Sequence, residues 1–170
     1  MVFLIRPRAL RHARAVTGMI PDAFESKKKY SQSVRIQVTG GQDDEAVGQP
    51  EIPNAAFEQA LATFIRRSHI FSKVVDDQTE AEDFILVVVL FSIDKRPIWA
   101  HGSVRGRLDS AAADTGVLSW RESIISEFNG SNVQLATDSA VKNNIAPVPS
   151  NLELNLRYPN DSAQLQGFQK

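Results

Sequence analysis

Asn54-Ala-Ala-Phe57-Glu-Gln-Ala60-Leu61-Ala-Thr-Phe64-Ile65-Arg-Arg-Ser68 and, further along, Phe84-Ile85-Leu86-Val87-Val88-Val89-Leu90-Phe91 decide how this chain folds. In the first stretch Phe57, Ala60, Leu61, Phe64 and Ile65 recur at helical spacing and make one apolar face. Burying the four large members contributes about 6–12 kcal/mol before conformational entropy is subtracted. Asn54 reads as the N-cap behind Pro53, and Arg66 and Arg67 place positive charge at the helix C-terminus. The second stretch is apolar on both faces and rich in β-branched residues. That pattern fits a central strand covered on both sides, or covered on one side and engaged by a partner on the other.

Outward from this pair, the period-2 run Ser33–Thr39 reads as a strand burying Val34, Ile36 and Val38, and Gly40-Gly41 ends it. A short strand is expected at Phe71–Val75. Strands are also expected over Phe84–Ile93, Ile98–Leu108 and Val117–Phe128, separated by turns at Asp94–Pro97 and Asp109–Gly116. A second helix is expected over Asn132–Asn144, stopped by Pro147 and Pro149. Leu152, Leu154 and Leu156 alternate as in an edge strand. The order β-α-(β)-β-β-β-α predicts an α+β fold, an antiparallel meander with two helices packed on one face. Residues 33–145 would form the domain, with a basic, poorly ordered arm at 1–32 and an irregular tail at 146–170.

At 170 residues the chain is long enough for one domain with its own core, and without cysteine it has no thiol, disulfide or Cys-based zinc chemistry. The net charge of −1 hides a basic first thirty residues on an acidic remainder. Met1–Ile5 is too short for a signal-peptide core, Arg6-Pro7-Arg8 interrupts it, and no stretch approaches the roughly 20 apolar residues of a spanning helix.

Reactive constellations are missing. The three histidines, His12, His69 and His101, share no metal-ligand spacing, and no serine sits in a nucleophile elbow. Gly40-Gly41 lacks the rest of a phosphate loop, and the acids from Asp76 to Asp83 lack calcium-loop spacing. No catalytic residue, metal or cofactor is therefore expected. The candidate contact residues are Phe57, Leu61 and Phe64 beside a groove, Ile85, Val87 and Val89 on the second strand face, and Trp99, His101, Arg105 and Arg107 on the next strand. The last two could read an anionic ligand or single-stranded nucleic acid, helped by Lys27–Lys29. Pairing with Glu122 or Glu127 explains them equally.

Five segments together carry a family resemblance. They are Val34-Arg-Ile-Gln-Val-Thr-Gly40-Gly41, Ile52-Pro-Asn-Ala-Ala-Phe57-Glu-Gln-Ala60-Leu61, Phe84–Leu90, Gly116-Val-Leu-Ser-Trp120-Arg-Glu-Ser-Ile124 and Ala136-Thr-Asp-Ser-Ala140-Val-Lys142-Asn143-Asn144-Ile145. Over about residues 20–145 the chain resembles small uncharacterised proteobacterial envelope lipoproteins. The resemblance implies a periplasm-facing, non-enzymatic domain tethered by lipid on an N-terminal cysteine. It assigns no functional residues. This chain departs from the pattern in having no lipobox cysteine, which implies either a native start other than Met1 or a member without the anchor. The expected function is an envelope binding or assembly domain contacting a protein partner or lipid-like ligand, with polyanion binding as the alternative.

Overall fold

The computed structural model describes residues 16–41, 52–76, 80–96, 101–113 and 118–155. Five strands form one mixed sheet: β1 (Tyr30–Thr39), β2 (Phe71–Val75), β3 (Phe84–Arg96), β4 (His101–Ala112) and β5 (Leu118–Asn129), in the order β2-β1-β3-β4-β5. Among the described residues three α-helices accompany it: α1 (Asn54–Ser68), α2 (Val133–Ile145) and the short α3 (Val148–Asn155). The fold is α+β, as expected from the element order.

The expected antiparallel meander is present as β3-β4-β5, but β1 pairs in parallel with both β2 and β3. Helix α1 supplies the crossover from β1 to β2. The return from β2 to β3 is short for a parallel connection, which ordinarily needs a dozen residues or more. Register explains it. Strand β2 pairs with the first half of β1, Tyr30 to Arg35, whereas β3 pairs with the second half, Val34 to Thr39. The end of β2 and the start of β3 therefore lie level across β1. Periodicity reports which face a strand buries and is blind to its direction, so the sequence pattern could not separate these pairings.

One core lies between the sheet and the helices. Val34, Ile36 and Val38 of β1, Phe84, Leu86, Val88 and Leu90 of β3, and Val104 and Leu108 of β4 meet Phe57, Leu61, Phe64 and Ile65 of α1. Helix α2 adds Ala140, Val141 and Ile145. It also sits unusually close to β4, where a Cβ on Gly102 would lie 2.5 Å from the Ala136 carbonyl oxygen. That proximity requires glycine on the strand and small residues on the helix.

Local chemistry differs from expectation at three places. Pro53, with extended backbone, occupies the N-cap position of α1, and the Asn54 side chain instead accepts from the Gly41 N–H at 2.7 Å, tying the helix start to the end of β1. Asn132 caps α2 as the sequence suggests, accepting from the Leu135 N–H at 2.8 Å. The run containing Leu152 and Leu154 is helix rather than edge strand. Pro149 falls in the first turn of α3, where its missing N–H costs nothing, and Val148 and Leu152 join the core. The packed unit is also wider than 33–145. Val16 and Met19 are buried with the core ahead of β1, β1 itself begins at Tyr30, and α3 extends the unit to Asn155.

Candidate functional site

Among the described residues the sheet has one face under the helices and one without them. Residues on the second face follow from register. Arg35, Gln37 and Thr39 of β1 lie beside Ile85, Val87 and Val89 of β3, which lie beside Ala111, Asp109 and Arg107 of β4. Arg121 and Ser123 of β5 extend the rows of Asp109 and Arg107, and Ile125 lies opposite Arg105 one pair further along. Ile85, Val87 and Val89 are half-buried, whereas their neighbours in sequence, Phe84, Leu86, Val88 and Leu90, are fully enclosed. A bulge between Leu90 and Ser92 then inserts Phe91 and shifts the phase, so that Ile93 pairs with Val104. The apolar run from Phe84 to Leu90 is thus one regularly alternating segment, and the bulge lies at its end.

Charge frames the apolar row on both sides. Arg35 donates to the Glu82 carboxylate at 2.7 Å and to the Glu80 carbonyl at 3.0 Å, and Asp83 accepts from the N–H of Ser33 at 2.8 Å. The acidic connector expected to be merely solvated is therefore latched onto β1. On the other side one carboxylate serves two arginines. Asp109 accepts from Arg107 Nε at 3.0 Å and from Arg121 Nε at 2.8 Å, which pushes Arg121 further from deprotonation. Arg105 meets Glu127 at 3.6 Å. Strand β4 runs through Asp109, expected to open a turn, and that placement lets Asp109 compete with the glutamates for Arg107. Glu122 lies on the helix face and takes two hydrogen bonds from Asn151.

The candidate residues now separate. Phe57, Leu61 and Phe64 are at most 1% exposed and belong to the interior, so no groove opens beside them. Helical periodicity identified a buried face correctly, but such a face is spent on the sheet beneath it. Ile85, Val87, Val89, Arg105 and Arg107 come together on the open face. His101 holds a register position opposite Asn129, and Trp99 lies outside the described residues. Sequence reading missed Arg35, Asp109 and Arg121; the even spacing of Asp109 from Arg105 and Arg107 was the available signal.

Among the described residues two carboxyls have perturbed titration. Burial raises the carboxyls of Glu58, opposed by a backbone hydrogen bond from Val38, and of Asp138, opposed by the side chain of Gln134. They stand on different helices, each with its own local partner. Among the described residues no three metal-ligating side chains cluster, and no helix is long and apolar enough to cross a membrane.

No protein-family model and no characterised protein sequence matches this chain. Solved structures do share its fold. A DUF330-family protein from Xanthomonas campestris superposes with a TM-score of 0.62 at 9% identity, over 85% of this chain and 96% of that one. A hypothetical protein from Chlamydia trachomatis gives 0.56 at 10% identity, over 74% and 98%. PelC from Paraburkholderia phytofirmans, solved as a dodecamer, gives 0.52 at 11% identity, over 81% and 96%. At these identities the likeness is one of fold, and none of the three is named for an enzymatic activity.

Proposed function

We propose that this chain is a non-enzymatic binding or assembly domain of the bacterial cell envelope, contacting a protein partner through the open face of its sheet. The observation that carries this reading is the half-exposed row Ile85, Val87, Val89 at the centre of the sheet, opposite the face that the helices cover. A central strand with solvent on one side normally alternates apolar and polar residues. Three β-branched residues in the polar phase are the composition of a contact surface, and the charged rows beside them supply a polar rim. The sequence resemblance to envelope lipoproteins supports the compartment, and the dodecamer of PelC supports assembly as a use of this fold.

A protein fits this surface better than a lipid chain does, because the residues expected to line a groove are sealed in the core. The polyanion alternative has less support, since Arg35, Arg105, Arg107 and Arg121 each already meet a carboxylate. The test is site-specific photocrosslinking in the native cell, with the probe placed at Val87 or at Gln59 on the exposed side of α1. A defined protein adduct in the envelope fraction from Val87 alone, lost on adding Val89→Asp, is the expected result. Equal labelling from the two positions, or a chain found only outside the envelope, overturns the proposal.

A further inference from the structure

The two edges of the sheet are treated differently. Strand β2 forms one edge with only 5 residues, and its Lys73 is ion-paired with Glu80. Strand β5 forms the other with 12 residues and no proline, and among the described residues β4 is its sole neighbour. Long regular edges are normally shortened, bent or covered, because their unpaired N–H and C=O groups template further pairing. Among the described residues three of the four exposed large apolar side chains also lie here, the fourth, Leu154, being on α3. Ile125 (65% exposed) and Phe128 (41%) are on β5, and Leu135 (51%) is in the first turn of α2.

We infer that the β5 edge pairs with the β5 edge of a second copy, antiparallel across a two-fold axis at Ile124, to make a continuous ten-stranded sheet. The register is chosen by charge. With Ile124 facing the second copy's Ile124, Arg121 falls opposite the second copy's Glu127, and the reciprocal pair forms by symmetry. A slip of two residues in either direction sets Arg121 against Asn129 or Ile125 and loses both ion pairs. A slip of one residue would put the helices of the two copies on opposite sides of the sheet.

Both charged groups have room for the new partner. Arg121 shares Asp109 with Arg107, and Glu127 reaches Arg105 only at 3.6 Å, with both side chains of that pair more than half exposed. The helical layer also fits. Helix α2 lies over β4 and β5, so the symmetry places the two copies of α2 roughly 10 Å apart, the spacing at which helices pack.

Light scattering on the size-separated full chain across a concentration series tests this inference. The expected species is a dimer. Arg121→Glu and Glu127→Arg each place two like-charge contacts in the interface, so each alone should weaken dimerisation about tenfold or more. Mixing the two variants should restore a heterodimer, because every Glu at 121 then meets an Arg at 127 and every Arg at 121 meets a Glu at 127. Circular dichroism checks that both variants fold, and the mixture reports on pairing even if one is weakened. A wild-type monomer at every concentration, a closed ring larger than a dimer, or mixing without recovery overturns it. Crosslinking from Val87 is unaffected by these outcomes, since β3 contributes nothing to this interface.

Discussion

The helix-covered face of the sheet and its open face are built from the same strands, offset by one residue. On β3, Phe84, Leu86, Val88 and Leu90 are sealed, while Ile85, Val87 and Val89, equally apolar, remain half in solvent. On β1 the partition is conventional: Val34, Ile36 and Val38 go inward, and Arg35, Gln37 and Thr39 go outward. The contrast shows that hydrophobicity alone did not assign the faces. The helices did, through Phe57, Leu61, Phe64 and Ile65, and the sheet beneath them had to present a matching phase. Where the open face is polar it is held by ion pairs, and where it is apolar nothing in the described residues covers it.

The first way to break this comparison is on the covered side. Phe64→Ala should cost about 4 kcal/mol, read as a shift in the denaturant midpoint, because its ring is enclosed and the cavity cannot refill. A loss as small as that of an exposed residue would mean the helical cover is not what stabilises the sheet. Next comes the latch on the open side. Arg35→Ala removes the partner of a Glu82 carboxylate that is only 12% exposed. The loss should be about 2 kcal/mol, between the values for exposed and fully buried pairs.

The smallest effect sharpens the account of the helical layer. Burial raises the Asp138 carboxyl above its ordinary value of 3.8, so the folded chain holds that proton to higher pH than the unfolded chain does. Its contribution to stability is therefore greatest at low pH. It declines as pH rises from 3.8 through the raised folded value, and stays low above it. Asp138→Asn keeps the acceptor for Gln134, and should stabilise the protein at neutral pH while removing that decline. The difference between the two pH-stability profiles is the measurement, and a gain that persists unchanged at low pH would contradict this cause.

Much of the fold was legible. The amphipathic face of α1, the strand alternation of β1, the meander and the helix beginning near Asn132 all follow from periodicity and helix-stop chemistry. Strand direction was not, because Val34 and Ile36 alternate identically in parallel and antiparallel ladders. Leu152, Leu154 and Leu156 misled because so short an alternation also fits i, i+4 spacing on a helix; Leu156 itself lies outside the described residues. For the candidate surface, the excess apolar face of β3 was visible, whereas its frame of Arg35, Glu82, Asp109 and Arg121 depended on register. Phe57, Leu61 and Phe64 show the limit from the other side: a helical stripe announces burial without saying that anything external fills it.

The staggered seating of β2 and β3 along β1 has a consequence for how the chain reaches its native state. Arg96 pairs with His101, so β3 and β4 close on each other locally and the meander can form early from nearby residues. Strand β1 must wait. Ser33 and Asp83, which clasp it to β3, are 50 residues apart, and that loop entropy is paid before the first parallel contact rewards it. Until then the flank of β3 that will receive β1 stands bare, with its most apolar segment presented to any other chain in the same condition. The acidic residues just before Phe84 sit where like-charge repulsion opposes that encounter, so the latch of the finished fold doubles as a guard on its half-made form.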